Sequence, residues 1–252
     1  MIAIFRELWS DVVLVFAMAY RTLEKLLESG EYKKLAIMMV GLIVAWHIYT
    51  PIHELLHVGA CLMVGGTVEE LALKPQYGGT LLQGIFPFIV PESDYAGQLT
   101  GFTTPNKWGY AVVDFLPFVL SFFGGILITW CYKKKSTIMY GTAVILAFVP
   151  IISLPGDFFE AASLATSEWL GTFSPELGDS FLISDDAFKL FGNLWTEGQF
   201  SVLIIFSYIV TAILSLFLVI SLFSFQGRMM RWVYGKEFFL SLQKETSSSK
   251  EK

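Results

Sequence analysis

Four stretches of this chain stay apolar over the roughly 20 residues that an α-helix needs to cross the hydrocarbon core of a bilayer. They are Leu35–Met63, Trp108–Tyr132, a run from Thr137 through Pro150 towards Leu164, and Phe200–Phe225. No other feature narrows the fold as far, because backbone polar groups in hydrocarbon must be satisfied within the segment, which leaves the helix as the natural solution. A fifth candidate, Ile2–Tyr20, is interrupted by Arg6, Glu7 and Asp11, which share one helical face with Ser10. That segment either spans with its polar side against other helices or lies in the interface. Composition points the same way: 54% of the 252 residues are hydrophobic and 15% are charged, against about 25% charged in soluble domains. A soluble globular enzyme and a disordered chain are excluded, and a net charge of −5 argues against nucleic acid as a partner. The expected fold is an all-α polytopic membrane protein with four or five transmembrane helices.

Lysine and arginine set the expected orientation. Arg21, Lys25, Lys33, Lys34, Lys133, Lys134, Lys135, Arg228, Arg231 and Lys236 fall on one side, whereas Lys74, Lys107 and Lys189 fall on the other, where Glu69, Glu70, Glu168 and Asp186 crowd. The basic side is expected to be cytoplasmic, in a plasma or inner membrane. The expected parts are an N-terminal amphipathic or transmembrane segment with a charged loop (1–34), a core of three transmembrane helices (35–165), an acidic non-cytoplasmic loop (166–198), a last transmembrane helix (199–226) and a basic, partly disordered tail (227–252). Residues 64–106 carry strand signals at Val68, Leu71 and Leu73 between glycine pairs, so a small β-hairpin or re-entrant loop is expected there. Cys61 and Cys131 end on opposite sides in this topology and cannot bridge.

The chemistry concentrates in His53-Glu54-Leu55-Leu56-His57, near the end of the first long run. Positions four apart on a helix differ by about 40°, so both imidazoles share a face and can grip one metal ion. Glu54 lies about 100° away, placed to reach a metal-bound water rather than the metal. Ionisable groups at membrane depth are costly and usually functional. His47 falls about 120° from His53, off this face, and reads as a packing residue. Cys61, one turn past His57, reads as a small buried residue.

A catalytic zinc takes three protein ligands and keeps one open position. Depth selects the third. His53 is about 27 Å along its helix from Leu35, and Asp157 about 30 Å from Thr137, both measured from the same side at about 1.5 Å per residue. Pro155-Gly156 loosens the helix just before Asp157 and frees its carboxylate to turn. Glu160 and Asp114 are the alternatives, with a supporting role for whichever does not bind.

The pentapeptide, followed by Ala60, Gly65-Gly66, Val68-Glu69-Glu70-Leu71 and Leu73, resembles the site-2 protease family of intramembrane zinc metalloproteases. Pro150, Pro155 and Asp157 are similar to that family's later proline-rich segment, whose Asp is the third ligand. Here Gly156 precedes that Asp rather than following it, and the charge pattern places the site towards the outside rather than the cytosol. The resemblance covers about residues 35–165 and implies Zn2+ held by His53, His57 and Asp157, with Glu54 as general base. It implies a single-span membrane protein as substrate, held unwound by strand addition along Val68, Glu69, Leu71 and Leu73. Two other classes stay open: a membrane zinc hydrolase acting on a lipid-type substrate, and a non-catalytic zinc-binding scaffold or transporter.

Overall fold

The computed structural model of the protein describes residues 2–28, 30, 32–182, 186–196 and 202–242. The protein is mostly helical, with one small sheet. Four described helices are long and apolar enough to cross a membrane: Tyr32–Met63, Lys107–Lys134, Thr137–Gly171 and Val202–Tyr234. The first helix of the chain, α1 (Ile2–Leu27), is continuous but not among these four. Next comes α2 (Tyr32–Met63), with Pro51 inside it.

Prolines break two of the long helices into pieces. The second consists of α4 (Lys107–Phe115), a 3-10 stretch over Leu116–Phe123 containing Pro117, and α5 (Gly124–Lys134). The third is α6 (Thr137–Ile152), a turn over residues 153–156, and α7 (Asp157–Gly171). Proline has no N–H for the helical ladder and its ring crowds the preceding turn. Asp157 therefore opens a new helix instead of sitting inside an old one.

Contacts divide the chain into two compact units. One holds Met1–Ile43, Leu120–Phe148 and Ile220–Lys252, and the other Val44–Val119 and Val149–Val219. In the first unit, Phe16 of α1 packs on Phe148 and Phe223, with ring centroids 5.1 Å away in each case. The hydroxyl of Tyr140 donates to the Ala19 carbonyl at 2.7 Å. Gly41 and Gly141 each lie against the other helix's backbone with no room for a Cβ, so α2 and α6 meet main chain to main chain, as small residues permit in membrane helices. The last long helix, α10 (Val202–Tyr234), runs past the expected boundary at residue 226. Arg228 and Arg231 continue it because buried Asp11 receives both, at 3.2 Å and 2.9 Å. After Gly235, which adopts a φ of 79°, residues 236–242 are helical. The end expected to be disordered, 246–252, lies outside the described residues.

The second unit carries the sheet, with strands β1 (Thr67–Leu73), β2 (Ile89–Val90) and β3 (Gly97–Thr103) in the order β2-β1-β3. A short helix, α3 (Gly79–Gln83), lies between β1 and β2. β1 pairs parallel with β2 through Leu71 and Ala72, and antiparallel with β3 from Thr67↔Thr103 to Leu73↔Gly97. This corrects the expected hairpin and its edge strand: β1 is the middle strand, and Leu71 donates its N–H to Phe88 on the side away from β3. The sheet rests on the last turns of α2, where Val58 packs with Leu71, Leu73 and Ile89, and Ala60 and Cys61 pack with Val113. Two short helices, α8 (Pro175–Leu182) and α9 (Ala187–Thr196), follow α7. Ala187 and Leu190 of α9 pack with Phe159, Leu170 and Ile204. The Ala187 N–H donates to the Pro155 carbonyl at 2.8 Å, which anchors the start of α9 to the turn before Asp157.

Candidate functional site

Three side chains converge inside the second unit. His53 Nε2 lies 3.1 Å from His57 Nε2 and 3.4 Å from Asp157 Oδ2. The ligand atoms of these three residues all fall within 4.8 Å of one another, and no other described group of His, Cys, Asp and Glu does so. The two histidines meet because they are one turn apart on α2. Asp157 reaches them because the Pro155-Gly156 turn restarts the helix at that point.

The outer ring nitrogens are also held. His57 Nδ1 donates to the Val113 carbonyl at 2.8 Å. A carbonyl only accepts, so the proton sits on Nδ1 and Nε2 is left with its lone pair towards Asp157 and His53. The Val113 carbonyl is open for a local reason. Its helical partner four residues on would be Pro117, which has no N–H. The hydroxyl of Tyr49, one turn before His53, lies 2.9 Å from His53 Nδ1. Phe118 presses its ring edge-on to His53 at 5.4 Å between centroids and packs on Phe158. Neither Tyr49 nor the Val113–Pro117 pair is among the residues picked out from sequence. The signals were present: an aromatic hydroxyl at i−4 from His53, and a proline at i+4 from a carbonyl.

Two of the three donor spacings suit a tetrahedral metal ion, and the third is within 4.8 Å. Bonds of about 2.0–2.1 Å to nitrogen or oxygen set neighbouring donors about 3.3 Å apart, close to the 3.1 Å and 3.4 Å seen here. Convergence of two imidazole nitrogens and a carboxylate, with both outer nitrogens tied back, is the donor chemistry such an ion requires.

Glu54 is buried but lines a cavity of about 430 Å3 whose wall also holds His57 and Asp157. No described residue hydrogen-bonds its carboxylate. A Cβ on Gly97 would lie 2.6 Å from Glu54 Cγ and 2.9 Å from Cδ, so the first residue of β3 is a glycine where the strand passes the carboxylate. Asp114 and Glu160, the alternative third ligands, line the cavity outside the converging group. Cys61 is buried near the Thr67 and Thr103 carbonyls, and the His47 ring packs against Tyr77, both outside the converging group of His53, His57 and Asp157.

The expected substrate-binding residues need correcting. Leu71 and Leu73 are fully buried under the sheet, Val68 packs into the cluster with Ala60 and Val113, and neither they nor Glu69 lines the cavity. The strand that does line it is β3, through Gly97, Gln98, Leu99 and Thr100. Tyr95, just before β3, donates its hydroxyl to Asp186 Oδ2 at 2.9 Å, while Asp186 Oδ1 caps α9 by accepting from the N–H groups of Phe188 and Lys189.

Comparison with models of known protein families, with curated proteins and with solved structures finds no match to this chain.

Proposed function

We propose that this chain is a multi-pass membrane protein and an intramembrane zinc endopeptidase. One observation carries the reading: His53, His57 and Asp157 converge at metal-ligand spacing, with the carboxylate of Glu54, which no described residue hydrogen-bonds, beside them. Both histidines lie on one of the long apolar helices and Asp157 opens the second half of another. A zinc ion bound by those three residues would lower the pKa of a water towards 7 and polarise a peptide carbonyl. Glu54 accepts the proton of the attacking water on its carboxylate and delivers it to the amide nitrogen, which leaves as an amine when the C–N bond breaks. Tyr49 and the Val113 carbonyl hold the two imidazoles in the orientation this needs.

The substrate must be unwound at the cut, since a helical peptide has its carbonyls engaged. β3 supports that step: it is an edge strand whose residues line the cavity, so its outer edge can take an extended segment by strand addition. In this reading the basic flanks face the cytoplasm and the site lies towards the opposite face.

Purified protein should contain one zinc per chain by elemental analysis, and His53→Ala or His57→Ala should lose it. Glu54→Gln should keep the zinc, lower turnover by about 10²–10⁴-fold and trap a single-span protein on co-purification. Absence of zinc overturns both hydrolase readings, and a trapped lipid redirects the proposal to a lipid-type substrate. Cysteines introduced near Lys134 should resist labelling from outside.

A further inference from the structure

α1 is 26 residues long but is not one of the four membrane-length helices, and its contacts run across their basic ends. Gly227 of α10 lies against the Asp11 main chain, seven residues before that helix ends at Tyr234. The Thr22 hydroxyl lies 3.4 Å from the Ile128 carbonyl of α5, six residues before that helix ends at Lys134. At about 1.5 Å per residue, both contacts fall about 10 Å from the basic ends, although Asp11 and Thr22 are about 16 Å apart along α1. Between them Phe16 reaches inward to Phe148 and Phe223, and beyond them Lys25 lies over the Tyr132 ring at 3.7 Å, near the end of α5. A helix that meets its neighbours at one depth over that distance lies along a leaflet, with its apolar side inward.

Along α1 runs a groove of about 460 Å3 whose charged lining is entirely basic: Arg6, Arg21, Arg231 and Lys236. Among the described residues, none forms an ion pair or hydrogen bond with Arg6, Arg21 or Lys236. Arg231 faces Asp11 and donates one N–H to Ser10 at 3.0 Å, which leaves further guanidinium donors beside the groove. A neighbouring cavity shares Ser10, Arg231 and Lys236 with the groove and adds Arg228, Glu7 and Asp11. Five cations thus stand against two carboxylates, a local excess that favours an anion. The rest of the groove is largely apolar, through Trp9 and Val13 of α1 with Phe239 and Leu240. A free phosphate ion answers the charge but has no use for such walls. A phospholipid brings a phosphate and acyl chains together, and basic pockets between helices on the cytoplasmic side suit it.

We infer that this groove is a site for an anionic phospholipid of the leaflet on the basic side, its phosphate taken by Arg231, Lys236 and Arg6 and its acyl chains laid against Trp9, Val13 and Leu240. This rests on the membrane reading and not on the zinc site. Full-length protein purified in detergent and stripped of lipid is titrated with phosphatidylglycerol or with phosphatidylcholine of the same acyl chains, and bound lipid is counted by native mass spectrometry. One phosphatidylglycerol should bind per chain, favoured over phosphatidylcholine by about 20-fold. Arg6→Gln and Lys236→Gln, both at exposed side chains, should each weaken phosphatidylglycerol about fivefold, the worth of one cation at an anionic surface, and leave phosphatidylcholine unmoved. Lys134→Gln, an exposed cation of the same side outside the groove, should weaken it by less than about twofold. Equal affinity for the two lipids, a preference unmoved when Arg6→Gln and Lys236→Gln are combined, or displacement by equimolar inorganic phosphate overturns the site and leaves the membrane reading standing. Protein that stays dispersed without detergent or lipid overturns the membrane reading and the site with it.

Discussion

Each unit of the molecule buries carboxylates, and the two do so in opposite ways. In the first, Asp11 faces two arginines one turn apart on α10, and Gly227 lets the α10 backbone close onto the Asp11 main chain. The charge is answered within the protein. In the second, buried Glu54 and Asp114 border a cavity that no lysine or arginine lines among the described residues, and Asp157 faces the His53 imidazole there at 3.4 Å. The Asp11 carboxylate, answered by arginines, holds helices together, whereas Glu54 and Asp114 border a cavity with no such arginine among the described residues. The difference separates a structural cluster from a candidate site without reference to any motif.

The largest expected effect tests the second half of that contrast. Glu54→Gln should lower turnover by about 10²–10⁴-fold, the usual range for losing a general base, with zinc content unchanged. Gly97→Ala should come next. Its Cβ must displace Glu54 or the strand, so turnover should fall by about tenfold or more while zinc stays bound. Pro117→Ala gives α4 an N–H that competes with His57 for the Val113 carbonyl, and Tyr49→Phe removes the group facing His53 Nδ1. Each should weaken zinc binding by about 10–100-fold in a competition titration with a chelator. The finest test compares the sign of two stability changes by thermal unfolding in detergent. Asp11→Asn strips two arginines of their partner and should destabilise by about 2–3 kcal/mol, below the full cost of breaking a buried pair, because Arg228 is 57% exposed at its side chain. Asp114→Asn removes a buried carboxylate whose Oδ2 has no hydrogen-bond partner among the described residues and should be neutral or stabilising by about 1 kcal/mol. The same sign in both would break the comparison.

Much of the candidate site's geometry was legible in the sequence. The i, i+4 spacing puts His53 and His57 on one face by helix geometry alone, and counting residues by depth together with the Pro155-Gly156 break picks Asp157 over Glu160 and Asp114. The strand register was not legible. Leu71 and Leu73 announce a strand, but only pairing shows that β2 and β3 flank it, and β2 is two residues of a segment whose apolar run resembles an interfacial piece. The α10 boundary was misplaced for a similar reason. Arg228 and Arg231 read as the start of a basic tail until Asp11, more than two hundred residues earlier, is found beside them.

Local chemistry written along one helix needs no partner to be read: apolar length, the turn-by-turn placement of His53, Glu54 and His57, and the prolines that interrupt α4 and α6 all act within a few residues. Which carboxylates find a counter-charge, which strand borders the cavity and which carbonyl a histidine grips depend on segments far apart in the chain. Those pairings follow from packing, and so the contrast between Asp11 and Asp114, two buried aspartates on helices, exists only in the folded protein.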